Sequence, residues 1–201
     1  MPCARLGLPP DETRTVFDFT QLALATPRLH LRPLRPDDAP AVFALFSDPV
    51  AMRHWSSPPW ADPAEAAALI ADDLLALPVG GHLRLALQRR ADGQVVGLVS
   101  LFAFHLASRR AELGYMLLRS AWGQGLMHEA LQALLGYGFG VLGLNRVEAD
   151  IDPDNTASAR TLQRLGFTAE GLLRERWIVA GRVSHTALHG LLQREWLAQR
   201  G

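Results

Sequence analysis

The sequence contains no lysine; all twenty of its basic residues are arginine. That absence removes a Walker-type phosphate loop, whose lysine reaches the terminal phosphates, and any lysine Schiff base. Cysteine is nearly absent too. Cys3 stands alone, so no internal disulfide can form, and its place near the amino end marks it as incidental rather than nucleophilic. No stretch approaches the roughly 20 apolar residues of a membrane span. The amino end sets Asp11, Glu12 and Asp18 among short apolar pieces, without the basic start or apolar run of a secretory signal. Formal net charge is zero, which offers no footprint for nonspecific nucleic-acid binding. The expectation is a cytoplasmic protein with neither membrane nor nucleic acid as partner.

What is present begins with size: 201 residues, 49% of them apolar, suffice for one domain with a sizeable core. The informative stretch is Leu113 to Ala130, LGYMLLRSAWGQGLMHEA. Leu113 to Leu118 is apolar and strand-like, Trp122-Gly123-Gln124-Gly125 is a glycine turn, and apolar residues recur at helical spacing from Leu126. A strand that feeds a glycine turn opening a helix leaves unpaired N–H groups and partial positive charge at the helix start. The stretch reads as a pyrophosphate cradle. A second glycine pattern, Gly138 to Gly143, spells G-x-G-x-x-G but follows a helix and precedes a strand. That is the reverse of a dinucleotide fingerprint, and a glycine-rich helix exit is the better reading.

In chain order, Met1 to about Phe19 is aperiodic and reads as an extension laid on the surface or frayed; residues 1–25 are assigned to it and 26–197 to the domain. Leu29, Leu31 and Leu34 alternate with polar neighbours, and Asp37-Asp38 offer a cap to a short helix carrying Val42, Phe43, Leu45 and Phe46. Met52 to Trp60 is a loop whose His54, Trp55 and Trp60 are either a substrate-side wall or core packing. A helix from Asp62-Pro63 to Leu77 turns Ala66, Leu69, Ile70, Leu74 and Leu77 inward. Strands follow at Leu83 to Gln88, Val95 to Phe104, and from Arg110 into the glycine turn, the first two joined through Ala91 to Gln94. The helix from Leu126 leads to a strand at Arg146 to Ile151, a parallel crossover. After Asp152 to Asn155, a helix spans Thr156 to Leu165. Phe167 to Val179 and Arg182 to Leu192 pair about Ala180-Gly181. The fold class is α+β, in one domain.

The series Thr26 to Arg32 (TPRLHLR), then ELGYMLL, WGQGLMHEAL, LGLNRVEADIDPDN, RTLQRLGF and EGLLRE, resembles the GCN5-related N-acetyltransferases (GNAT). Within them it resembles the subgroup typified by the bacterial enzymes that acetylate the N-termini of ribosomal proteins (RimJ/RimL-like). The likeness runs in one order from about Thr26 to Trp196. It implies a mixed, mostly antiparallel sheet with helices on both faces and a central parallel pair that splays to admit the pantetheine arm of acetyl-CoA. An amine is the implied acceptor, either a peptide N-terminus or a small molecule; a homodimer stays open. It implies that Trp122, Gly123, Gln124, Gly125, Leu126 and Met127 present main-chain amides to the pyrophosphate, with Trp122 and Met127 departing from the commonest residues. Tyr115 and Leu117 match the strand that pairs with pantetheine amides, and Asn155 an asparagine contacting the same arm.

The chemistry needs a neutral amine and a stabilised leaving thiolate. An α-amino group is about 10% neutral at pH 7 against about 0.04% for a lysine side chain, so a weak base suffices for an N-terminus. Glu112 matches a subgroup glutamate proposed as base; otherwise it is a solvated charge paired with Arg109 or Arg110. Many family members carry a tyrosine as acid where this chain has Leu162. Ser158 matches a subgroup serine proposed to meet the sulfur, and otherwise bonds locally to backbone. Tyr115 is another possible hydroxyl donor. His185 and His189, four apart on a strand, are not a metal pair. His185 also stands where the subgroup often has aspartate. Arg174, Glu175 and Arg176 read as a solvated face. Sparse acidic patterning speaks against polyamines. An acyl-CoA-binding module without turnover is the alternative outside catalysis.

Overall fold

The computed structural model describes residues 17–200; Cys3, Asp11 and Glu12 lie outside the described residues. Eight strands form one sheet in the order β1-β2-β3-β4-β5-β6-β8-β7. They are β1 (Leu24–Ala25), β2 (Leu29–Pro33), β3 (Leu83–Arg89), β4 (Val95–His105), β5 (Arg110–Leu117), β6 (Arg146–Ile151), β7 (Thr168–Val179) and β8 (Arg182–Leu192). The helices are α1 (Ala39–Phe46), α2 (Pro49–Met52), α3 (Ala64–Ala76), α4 (Leu126–Gly140), α5 (Thr156–Arg164) and α6 (Gln193–Ala198). All neighbouring strands run antiparallel except β5 and β6. The mixed sheet, the single domain and the parallel crossover through α4 agree with the sequence reading.

Apolar side chains cover both faces because the inner strands alternate between two cores. On the front face, Ala86, Leu98 and Met116 pack under α1 and α3 with Leu45, Phe46 and Ile70. On the back, Leu85, Val99, Leu113 and Val147 meet Leu131, Leu134 and Leu135 of α4 and Leu162 of α5. Gly138 lets α4 lie close to the sheet, since a Cβ there would stand 3.3 Å from both Leu101 and Leu144. Gly143, at φ 63°, turns the chain into β6. The G-x-G-x-x-G run is thus a helix exit.

Several local expectations are corrected. Phe19, read as the end of a surface extension, is fully buried and its N–H donates to Leu77 O. Leu74 is 41% exposed; its neighbour Asp73 points inward instead, with Arg84 Nη1 2.9 Å from both carboxylate oxygens. Helical spacing alone does not separate an inward leucine from an inward ion pair one position away. Asp38 does not cap α1 with its side chain. It accepts from Arg32 Nη1 and Nη2 at 2.7 and 2.9 Å and from the Arg35 N–H. The loop after α1 begins with the short α2, capped by Asp48. The β7–β8 turn falls on Ala180 and Gly181 as read, both at positive φ. That conformation suits the strand twist of a two-residue hairpin. Among the described residues, no helix is long and apolar enough to cross a membrane.

Candidate active site

The parallel pairing of β5 with β6 has three rungs, the last joining Glu112 to Glu148. Beyond it β5 stays paired with β4 through Leu117, and β6 with β8 through Ile151. Each strand follows its other neighbour, and a gap opens between them. A cavity of about 400 Å³ occupies that gap. Leu98, Ser100, Phe102 and Met116 wall it from the front, and Leu113, Tyr115, Asn155 and Ser158 from the back. The cavity therefore passes through the sheet.

At the end of β5 the chain turns through Arg119–Ala121 into the glycine loop. Gly123 and Gly125 sit at φ 72° and 73°, a region that side chains rarely tolerate. Among the described residues, none of the main-chain N–H groups from Gly123 to His128 donates to another group of the protein. The Trp122 N–H, by contrast, donates to Arg119 O at 3.1 Å, and its indole Nε1 to Leu117 O at 2.9 Å. The run of free amides therefore begins at Gly123 rather than Trp122, and the Leu117 carbonyl already has a partner. Behind the loop, Arg28 Nη1 donates to Gln124 O at 2.8 Å and Arg28 Nε to Glu129 at 2.6 Å. Thr26 Oγ1 donates to the same carboxylate. Burial opposes ionisation of Glu129, but these hydrogen bonds outweigh it and hold its pKa below the usual carboxylate value. The Gln124 carbonyl is thus held by Arg28, and nothing stands within 4 Å of a Cβ built on Gly123. Open amides at a helix start suit an anionic diphosphate.

On the back wall, Tyr115 Oη and Ser158 Oγ are 2.5 Å apart. Ser158 is 8% exposed, and its N–H donates to the Asn155 side chain that caps α5. Its hydroxyl thus meets another hydroxyl. Burial pushes the Tyr115 pKa up to about 12, so the phenol keeps its proton at neutral pH, and either hydroxyl can donate to the other.

Glu112 lies on the front face, opposite the cavity-lining Phe102 in the β4–β5 register, and does not itself line the cavity. Arg110 is not its partner; Arg110 Nη1 donates to Glu148 at 2.9 Å, and among the described residues Glu112 makes no ion pair. Its pKa is raised, first by burial and then by Asp150 and Glu148, against Arg110 and Arg176. A carboxylate held above its ordinary value is a better proton acceptor near neutral pH.

Other residues of the cavity carry no sequence motif. His54 Nδ1 lies 2.9 Å from Asp152 Oδ2, joining the loop after α2 to the turn before α5. Trp55 serves both roles left open for the loop aromatics, edge-on to Phe46 and in the cavity wall, whereas Trp60 stacks on Phe46 at 4.3 Å. A bulge in β7, with Glu175 at φ 53°, turns Trp177 so that its Nε1 donates to Thr186 Oγ1 at 2.9 Å. His185 Nδ1 accepts the Glu175 N–H at 2.8 Å. His185 and His189 both lie on β8.

The amino-acid pattern of the acetyltransferase (GNAT) domain matches residues 28–168. The chain belongs to the GNAT acetyltransferase family. As a GNAT protein it is an acyltransferase enzyme of the N-acetyltransferase type. It is 35% identical over 174 residues to the uncharacterized N-acetyltransferase p20 of Bacillus licheniformis, covering 86% of this chain and 97% of that one. It is 28% identical over 173 residues to the spermidine N(1)-acetyltransferase of Escherichia coli K12, covering 84% and 88%. Its fold is similar to that of the spermidine N-acetyltransferase from Vibrio cholerae in complex with CoA and spermine. There the TM-score is 0.77 at 22% identity, with 86% and 99% of the chains covered.

Proposed function

We propose that this GNAT protein transfers the acetyl group of acetyl-CoA to a primary amine by direct attack, with a peptide N-terminal α-amine as acceptor and RimJ/RimL-like enzymes as its subgroup. The observation that carries the reading is the cavity through the sheet, which joins an acceptor side to a donor side at the parting of β5 and β6. The residues fit the donor. The amides from Gly123 to Met127 would hold the diphosphate, and the unpaired margin of β5 about Tyr115, with Asn155, would hold the pantetheine arm. When bound, acetyl-CoA supplies the activated acyl carbon.

Glu112, in front, accepts the proton that the amine must lose. Ser158, behind, offers a hydroxyl hydrogen toward the leaving sulfur while its own oxygen accepts from Tyr115. Base and acid sit on opposite faces, so neither quenches the other. Cys3, outside the described residues, is given no part. A small-molecule amine is the second reading, favoured by Asp150 and Asp152 in the cavity wall. Mass spectrometry of a panel of peptides with varied first residues, run beside small amines with acetyl-CoA, tests both. No acetylated product from any amine would refute the reading and leave an acyl-CoA-binding module.

A further inference from the structure

Acidic residues that look scattered in the sequence meet on the front face: Glu112 on β5, and Glu148 and Asp150 on β6, with Asp152 just beyond. Most of the charge near the cavity is already answered. Arg84 is held by Asp73, and Asp152 by His54. Glu148 accepts from Arg110 and Arg146, and Arg146 also pairs with Glu170. His82, stacked near Phe102, has its pKa lowered to about 4 by burial and by Arg84, and is neutral at pH 7.

Asp150 is different. Among the described residues its ion-pair partner is Arg176, whose Nε is 3.9 Å away, beyond hydrogen-bond reach. That guanidinium also lies over the Trp177 ring, 5.4 Å from its centre. Asp150 pairs with Leu188 of β8, two residues past the last β5 rung, so its carboxylate borders the gap and lines the cavity. Trp55, Phe102 and Trp177 share that wall, and aromatic faces beside a carboxylate suit a cation.

We propose that Asp150 binds the acceptor's ammonium at the front of the gap, which makes the preferred acceptor a cationic primary amine delivered beside Glu112. The inference rests on the amine acetyltransferase reading. The N–H bond breaks with its electron pair left on nitrogen, and the O–H bond forms on Glu112.

The test is Asp150→Asn in the full chain, with n-butylamine and a free tripeptide as acceptors. Losing a charged hydrogen bond of about 1.5–3 kcal/mol raises the amine KM about tenfold or more, with kcat and the calorimetric Kd for CoA little changed. Glu112 is faced by Asp150, Glu148, Arg110 and Arg176. With the anionic neighbour gone, the acid limb of kcat/KM moves to lower pH, a shift that a packing defect would not produce. Asp150→Glu restores most of the affinity, and Arg176→Ala, which unmasks Asp150, lowers the amine KM. An amine KM within about twofold of the parent, or an unmoved limb, overturns the proposal. If the parent acetylates no amine, the functional reading fails instead. Titrating n-butylamine into the CoA-loaded protein then judges Asp150, and equal Kd values for parent and Asp150→Asn overturn it.

Discussion

Tyr115 Oη stands 2.5 Å from Ser158 Oγ, and burial keeps the tyrosine protonated. Both residues line the cavity, and a tyrosine that donates to the serine leaves the serine's own hydrogen free to point into it. Tyr115→Phe and Ser158→Ala are each expected to lower kcat about a hundredfold to a thousandfold, the range for removing a single hydrogen-bond donor in acyl transfer. If the tyrosine acts through the serine, the double variant is no slower than Ser158→Ala alone. Steady-state kinetics on the four proteins decides, and additive losses would show two independent roles.

Glu112 carries a raised pKa, so its basic form is lost at a higher pH than that of an ordinary glutamate. kcat/KM is expected to fall as pH drops through that raised value. Glu112→Gln should remove this limb and lower turnover about a hundredfold, with the Kd for CoA unchanged by calorimetry. A variant that keeps the parent's pH profile would exclude Glu112 as base.

Gly125 combines a φ of 73° with the start of α4. A valine there meets backbone strain and points its branch toward Arg28, whose Nη2 is 3.6 Å from an ideal Cβ. Gly125→Val is expected to weaken CoA binding about tenfold or more, whereas a pantetheine thioester lacking the phosphates should react as before. Calorimetry with CoA checks the first, and the truncated donor separates phosphate binding from general damage.

Asp38 and Arg32 form a nearly enclosed pair. Burial opposes ionisation of Asp38, but the hydrogen bonds from Arg32 and the Arg35 N–H outweigh it and hold its pKa below the ordinary aspartate range. A depressed pKa in the folded state contributes stability above the unfolded value, lost as pH falls through the folded one. Asp38→Asn should cost about 3 kcal/mol in urea unfolding at pH 7, and the difference should shrink in acid below the ordinary carboxylate range.

The sequence displayed what depends on local rules. Glycines at Gly123 and Gly125 before a helical period, and Ala180-Gly181 between two strand-like runs, announce their turns because few other residues take positive φ. The G-x-G-x-x-G run could be set aside on element order alone. What the sequence hid depends on register. Glu148 and Asp150 are two residues apart in a run that looks ordinary, and only the parting of β5 from β6 gives one a pair of arginines and the other a cavity wall. The His54–Asp152 contact joins residues 98 apart, and the inward Asp73 breaks the apolar stripe that would have placed Leu74 there. The resemblance pointed to Ser158, which lines the cavity, but not to its hydroxyl partner.

A sheet that parts along one seam is a partition with a slot in it. Reactants that enter such a slot from opposite sides need not trade places, so spent thiol and acetylated product can withdraw in opposite directions. The bulk of an acceptor can stay outside, with only its terminal nitrogen passed through.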